Sequence, residues 1–225
     1  QQLLLTGIIG FVILFEFSMI PFPSDAELIP SVYEEIKNDE SKFAVLAAPI
    51  GGTGDGLLMS NPIILYHQAH HEKPIYGGYE SRISLDLMDP TEQVTLTYFL
   101  NMFHIFGSND DVIKQDLAIH GLSLFGHFDI EYLTVHKTAA LGTTKVIDIN
   151  KLMSEILNEN VPIYQDSKMV VYKIPKPNSL KPFLLLGSGW HAFDPENHVR
   201  ATMKNSEILI VNPTNFETHI TLNLV

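Results

Sequence analysis

The chain has 225 residues, with 26 acidic against 14 basic side chains, a formal net charge of −12 and no cysteine. That balance disfavours nucleic acid and anionic lipid headgroups as partners. Without cysteine there is no disulfide framework from which to read a redox compartment, and the length allows one domain with a sizeable core or two small ones.

The first element is apolar. Leu3 to Ile20 contains a single charge, Glu16, and as a helix it would extend roughly 27 Å, close to the hydrocarbon thickness of a bilayer. It stays apolar on every face, unlike most soluble core helices. It also lacks the basic start, short apolar region and small-residue cleavage site of a signal peptide. The expectation is a transmembrane helix in contact with membrane lipid through residues 3–20 and ended by Pro21 and Pro23. Glu16 reaches the interface on one reading and faces another helix or subunit on the other. The chain opens on Gln1-Gln2 and reads as a piece of a longer or processed protein. The positive-inside rule is therefore mute, and the acidic remainder fits an ectodomain on the extracytoplasmic side of a cell membrane. No Asn-x-Ser/Thr acceptor is present, because proline interrupts Asn212-Pro213-Thr214.

After the span the texture is mixed. The spacing of Leu28, Val32 and Ile36 predicts a helix over 26–38, and Phe43 to Ala48 a short buried strand closed by Pro49. The loop Gly51-Gly-Thr-Gly-Asp-Gly56 lacks the Lys-Ser/Thr of a phosphate cradle and reads as a surface turn. A helix is expected over 61–71, with Asn61 as N-cap and Pro62 in its first position. Further helices are expected over 92–106, 109–124 and 147–157, and a strand over 130–136. Val161 to Asp166 and Met169 to Ile174 form a hairpin around Asp166-Ser-Lys168. The stretch Pro175 to Pro182 marks an internal boundary. Short strands follow at 183–186, 201–203, 208–211 and 219–224, with truncation at the C-terminus an open reading. The expected organisation is a transmembrane helix and exit (1–23), an α/β (α+β) extracytoplasmic domain (24–175) and a small β-sandwich-like segment (176–225).

The most distinctive run is Tyr66 to Arg82, Tyr-His-Gln-Ala-His-His-Glu-Lys-Pro-Ile-Tyr-Gly-Gly-Tyr-Glu-Ser-Arg. His67, His70 and His71 stand at i, i+3 and i+4, so two or three share a helix face. That is metal-ligand spacing in principle, but the His-Glu-x-x-His pattern is absent. A solvated or core-capping cluster is the preferred reading, and no cofactor is expected. Lys73 and Arg82 bracket Gly77-Gly78, Tyr76 and Tyr79. Such cations hold a phosphate or a sugar carboxylate, and the tyrosine faces stack on sugar rings. The preferred reading is structural, with Pro74 and Gly77-Gly78 fixing a turn and Arg82 pairing with a buried acid or carbonyls. Trp190, the only tryptophan, follows Gly187-Ser-Gly189. It is either a sugar-facing platform or the anchor of a small β core. Ser81 has no His/Asp partner by spacing, so no hydrolase triad is indicated and no catalytic residue is assigned.

The order of these parts carries a resemblance: the apolar helix with its Pro-rich exit, Val45-Leu-Ala-Ala-Pro49, the Tyr66–Arg82 run, Ile130-Glu-Tyr-Leu-Thr-Val-His-Lys137, Pro162-Ile-Tyr-Gln-Asp166 with Val170-Val-Tyr-Lys-Ile174, and Gly187-Ser-Gly-Trp190. Together they resemble the C-terminal extracytoplasmic region of archaeal and bacterial polytopic GT-C glycosyltransferases, related to dolichyl-phosphate-mannose–protein mannosyltransferases. Gln68, His71, Lys73, Pro74, Gly77, Gly78, Ser81 and Arg82 match best, and His67, His70 and Glu72 more loosely. The resemblance implies lipid-linked sugar donors and a catalytic acid upstream of this chain. Two other readings stay open: a single-span accessory subunit of a membrane complex, and an anchored carbohydrate-binding module.

Overall fold

A computed structural model describes residues 29–50, 62–76, 99–100, 102–103, 116–137, 145–157, 161–194 and 199–214. The chain divides into two compact units, residues 1–30 and 31–225. Every described helix and strand belongs to the second.

Helix α1 (Val32–Asn38) turns Val32, Tyr33 and Ile36 inward and carries Glu34 and Glu35 in its first turn, where acids suit the helix dipole. Seven residues are too few for an isolated helix, so packing holds it. Strand β1 (Ala44–Ala48) follows, buried at every position. Helix α2 (Pro62–His71) starts on a proline, which costs nothing where the N–H has no helical partner. It stops at Glu72, whose φ of 61° is left-handed, and Pro74 prevents its continuation. Strand β2 (Ile75–Tyr76) comes next. Helix α3 (Leu117–His127) is capped by Asp116, whose side chain accepts from the Ala118 N–H at 3.0 Å. Strand β3 (Ile130–His136) is again buried throughout. Helix α4 (Lys145–Leu157) buries Ile149, Leu152, Met153 and Ile156 at i, i+3, i+4 and i+7. The remaining strands are β4 (Tyr164–Gln165), β5 (Met169–Lys173), β6 (Phe183–Leu186), β7 (Trp190–Asp194), β8 (Val199–Thr202) and β9 (Ile208–Val211).

The main sheet has the order β2-β1-β3-β5-β4. Strand β1 runs parallel to both β2 and β3, while β3–β5 and β5–β4 are antiparallel. Parallel strands covered on both faces read as continuous apolar runs, which is how β1 looks in sequence, whereas β3 is buried with Glu131, Thr134 and His136 among its apolar residues. Alternate residues serve opposite faces. Leu46, Ala48, Leu133, Val135, Val170 and Tyr172 share one cluster with Leu124, Phe125 and the inward residues of α4. On the other face His136 meets α2 through His67, and Tyr132 meets Phe43.

This corrects the expected architecture. The described fold is one α/β arrangement with a mixed sheet and four helices, and none of these helices is long and apolar enough to cross a membrane. The stretch 3–20, the loop 51–56, Asn61 and the strand expected over 219–224 lie outside the described residues. In place of a β-sandwich, the C-terminal strands form two separate two-stranded antiparallel sheets, β6–β9 and β7–β8. The reason is packing: Phe183, Leu185 and Leu186 of β6 are buried in the same cluster as the main sheet rather than facing a second one.

Candidate functional site

The described part of the distinctive run is α2 followed by β2. Helical spacing separates its histidines as geometry requires: His67 and His71, four apart, are buried, and His70 turns out to Glu34 at 2.8 Å. His67 Nδ1 is hydrogen-bonded to the Tyr33 hydroxyl at 2.9 Å. Tyr33 stacks on His71 with ring centroids 5.6 Å apart, and His67 stacks on His136 at 5.4 Å. Three imidazoles, only 4%, 2% and 3% exposed at His67, His71 and His136, thus pack between α1, α2 and β3, His67 and His71 against Tyr33 and His136 against His67. The Nδ1 atom of His71 accepts the Lys73 backbone N–H at 3.0 Å, which fixes its tautomer as the Nε2–H form. His136 Nε2 is buried without a hydrogen bond to any described residue.

Burial is the chief reason that His71 and His136 are both depressed to a pKa of about 4; the positive potential of His67 acts in the same direction on each. The Asp166 carboxylate opposes the shift at His136 without overcoming it. These rings are neutral at pH 7 and act as hydrogen-bonding, stacking core groups.

The next residues are equally committed. The Lys73 ammonium donates to the Asp39 carbonyl and lies 4.9 Å over the Phe43 ring. The Gln68 amide donates to the Lys73 carbonyl at 3.4 Å. Asp39 in turn accepts from Ser41 through its hydroxyl and its backbone N–H, and from Tyr132 and Lys173. The Ser41 bonds are the first reason that its carboxyl sits far below the usual range. Outside this knot, Lys37 and Glu72 pair at 2.7 Å across α1 and the end of α2.

Of the residues expected to hold a sugar or phosphate, Lys73 is tied as described, and Tyr76 is half-buried in β2 with its ring edge-on to Phe128 at 6.3 Å. Tyr79 and Arg82 lie outside the described residues. Trp190 sits in another sheet, on β7, packed against the core, with its indole N–H donating to the Glu207 carbonyl at 2.7 Å. The structure therefore unites Lys73, His67 and His71 with Tyr33, Asp39 and His136, and sets Trp190 apart on another sheet. The last three partners of the run carried no sequence signal, because each meets it across about 35 to 70 residues of chain with no motif of its own. Among the described residues, no group of three or more His, Asp or Glu side chains is placed to hold a metal ion. The stacked rings of His67 and His136 present faces to each other rather than converging lone pairs.

No family model, no curated protein and no solved structure matches the chain.

Proposed function

We propose that this chain is the extracytoplasmic, non-catalytic portion of a membrane glycosyltransferase-like protein that uses lipid-linked sugar donors. The reading rests on the Tyr66–Arg82 run and its neighbours, which resemble that region of GT-C enzymes. One structural observation supports the non-catalytic part. The best-matching described side chains of the run, Gln68, His71 and Lys73, are all spent on internal hydrogen bonds to one another or to Asp39. Residues used in this way hold a backbone in place, and they leave proton transfer and nucleophilic attack to groups elsewhere.

The test uses the native full-length product in its own membranes, supplied with a synthetic polyprenyl-phosphate hexose, alongside the 225-residue chain. Transfer by the native product and none by the chain is the expected result. Lys73→Met is expected to lower the melting temperature while leaving transfer per folded molecule unchanged. A native product with the mass of this chain and no transfer overturns the reading and points to an accessory subunit. Glycan retention by the chain that disappears in Trp190→Ala points instead to a binding module.

A further inference from the structure

The two faces of the main sheet are closed in different ways. On the side of α3 and α4 the cluster is aliphatic and aromatic. The opposite face carries Val45, Ala47, Tyr132, Thr134 and Val171, all buried, and α1 and α2 lie on that side. Both helices leave towards the sheet at the same end. Helix α1 runs through Asp39 into β1, and α2 runs through Glu72 and Lys73 into β2, its neighbour in the sheet. That end is tied down. The Asp39 carboxylate accepts from Tyr132 and Lys173, the Lys73 ammonium donates to the Asp39 carbonyl, and the Val45 N–H donates to the Pro74 carbonyl at 2.8 Å. On their outer sides the helices are joined to each other by Lys37–Glu72 and Glu34–His70. They form one layer, fixed at one end and fastened elsewhere by imidazoles.

Those imidazoles suit the closed layer only when neutral. The Nδ1 atom of His71 accepts the Lys73 N–H, and a protonated ring carries an N–H on both nitrogens. His71 cannot gain a proton and keep that bond. The ring of His136 lies against that of His67 at 5.4 Å, so a charge on it faces another imidazole. The titratable and charged groups around the pair come from every side. Helix α1 supplies Tyr33 and, through His70, Glu34. Helix α2 supplies His67, His70 and Tyr66, whose ring is 6.0 Å from that of His67. Lys73 adds positive potential at His71. From the turn between β4 and β5, Asp166 favours a charged His136 without outweighing its burial, and the Asp166 carbonyl is taken by Lys137. Among the described residues no carboxylate forms an ion pair with His71 or His136. Both rings take up protons far more readily in water than in the closed layer.

We propose that α1 and α2 form one acid-released lid: when His71 and His136 are protonated, the two helices swing off the sheet together about the connections 39–43 and 72–74, while the side of α3 and α4 stays closed. Short connections at element ends are where such hinges absorb the change in backbone angle. The outer pairs keep the helices together during the motion, and a charged His70 strengthens its contact with Glu34. The face uncovered is the apolar one that carries Val45, Ala47, Thr134 and Val171.

The experiment is amide hydrogen exchange of the full 225-residue chain at pH 7.5 and 5.0, with each rate divided by its intrinsic value at that pH. Amides of α1 and α2 are expected to share one protection at pH 5.0, below that of α3 and α4. It should be lower than at pH 7.5 by about thirtyfold for each ring that opening exposes, the factor that follows from 6.5 in water and about 4 in the closed layer. His136→Phe keeps a ring against His67 and should restore about thirtyfold of protection to both helices at pH 5.0, with no change at pH 7.5. The parent chain decides the matter even where that variant fails to fold. The proposal is overturned if the protection of α1 and α2 is the same at both pH values, if it falls to the same level as that of α3 and α4, or if the two helices open separately.

Discussion

His71 and His136 titrate near 4 in the folded chain, against 6.5 for an unhindered imidazole. The folded pKa lies below the unfolded one, so between these values the unfolded chain binds the protons first. Stability is therefore whole above pH about 6.5 and falls as the pH drops towards 4. A depression of this size corresponds to on the order of 3 kcal/mol for one fully buried site. Urea midpoints at pH 7.5, 6.0 and 5.0 are expected to decline steadily, and His136→Phe, which keeps a ring against His67, should flatten that decline. Equal midpoints at all three values would show that neither ring resists protonation. Asp39 is held low by Ser41, Tyr132 and Lys173, so its contribution is present above the usual carboxylate pKa and is lost only below it, in a more acid window. Sequence reached part of this. The i, i+4 spacing put His67 and His71 on one helix face, and that face is buried. Their partner rings, Tyr33 and His136, were invisible because side-chain stacking across sheet layers leaves no local pattern.

At the scale of elements, α3 and α4 approach each other closely. A Cβ on Gly121 would stand 2.6 Å from Ile156 Cγ1, nearer than side chains pack. Gly121→Val should therefore cost about 1–3 kcal/mol by overpacking, and Ile156→Ala in the same chain should recover part of it. Thermal melts of the single and double variants decide this, and additive losses would rule out the contact. Gly189 makes a different demand, with φ at +84° and the Asn205 carbonyl where a Cβ would go. Gly189→Ala should loosen the β7–β8 pair and shift the emission of Trp190, the only tryptophan, towards that of exposed indole. β1, β3 and α4 stand close to where strand-like runs and helical spacing put them, and α2 starts at Pro62, where the proline put its first position. The helix expected over 109–124 is described from Leu117 and continues to His127, since tertiary cover of Leu124 and Phe125 outweighs the poor propensity of Gly121 and Gly126. Strand β7 was missed because Gly187-Ser-Gly189 reads as a loop that presents Trp190, whereas the glycines make the tight approach to 205–207 that lets the strand form.

At the scale of the molecule, Trp190, Ile208, Leu209 and Val211 pack against the cluster that holds the main sheet. Unfolding followed by Trp190 fluorescence and by far-ultraviolet circular dichroism should therefore give coincident transitions. A separate early fluorescence change would show that the small sheets melt alone. The α/β mixture was legible in the alternation of apolar runs and helical spacing. The strand order β2-β1-β3-β5-β4 was not, because it is set by pairings between distant segments, and hydropathy carries no record of which strand meets which.

Distance along the chain also sets a timetable. Asp39, just ahead of β1, meets Tyr132 of β3 across 93 residues. At about 5–20 residues per second on a ribosome, that interval is roughly 5–20 s. For that time β1 emerges with two apolar faces and no β3 to pair with. A nascent chain stalled before residue 130 should be captured by chaperones, and one stalled well after β5 should be released.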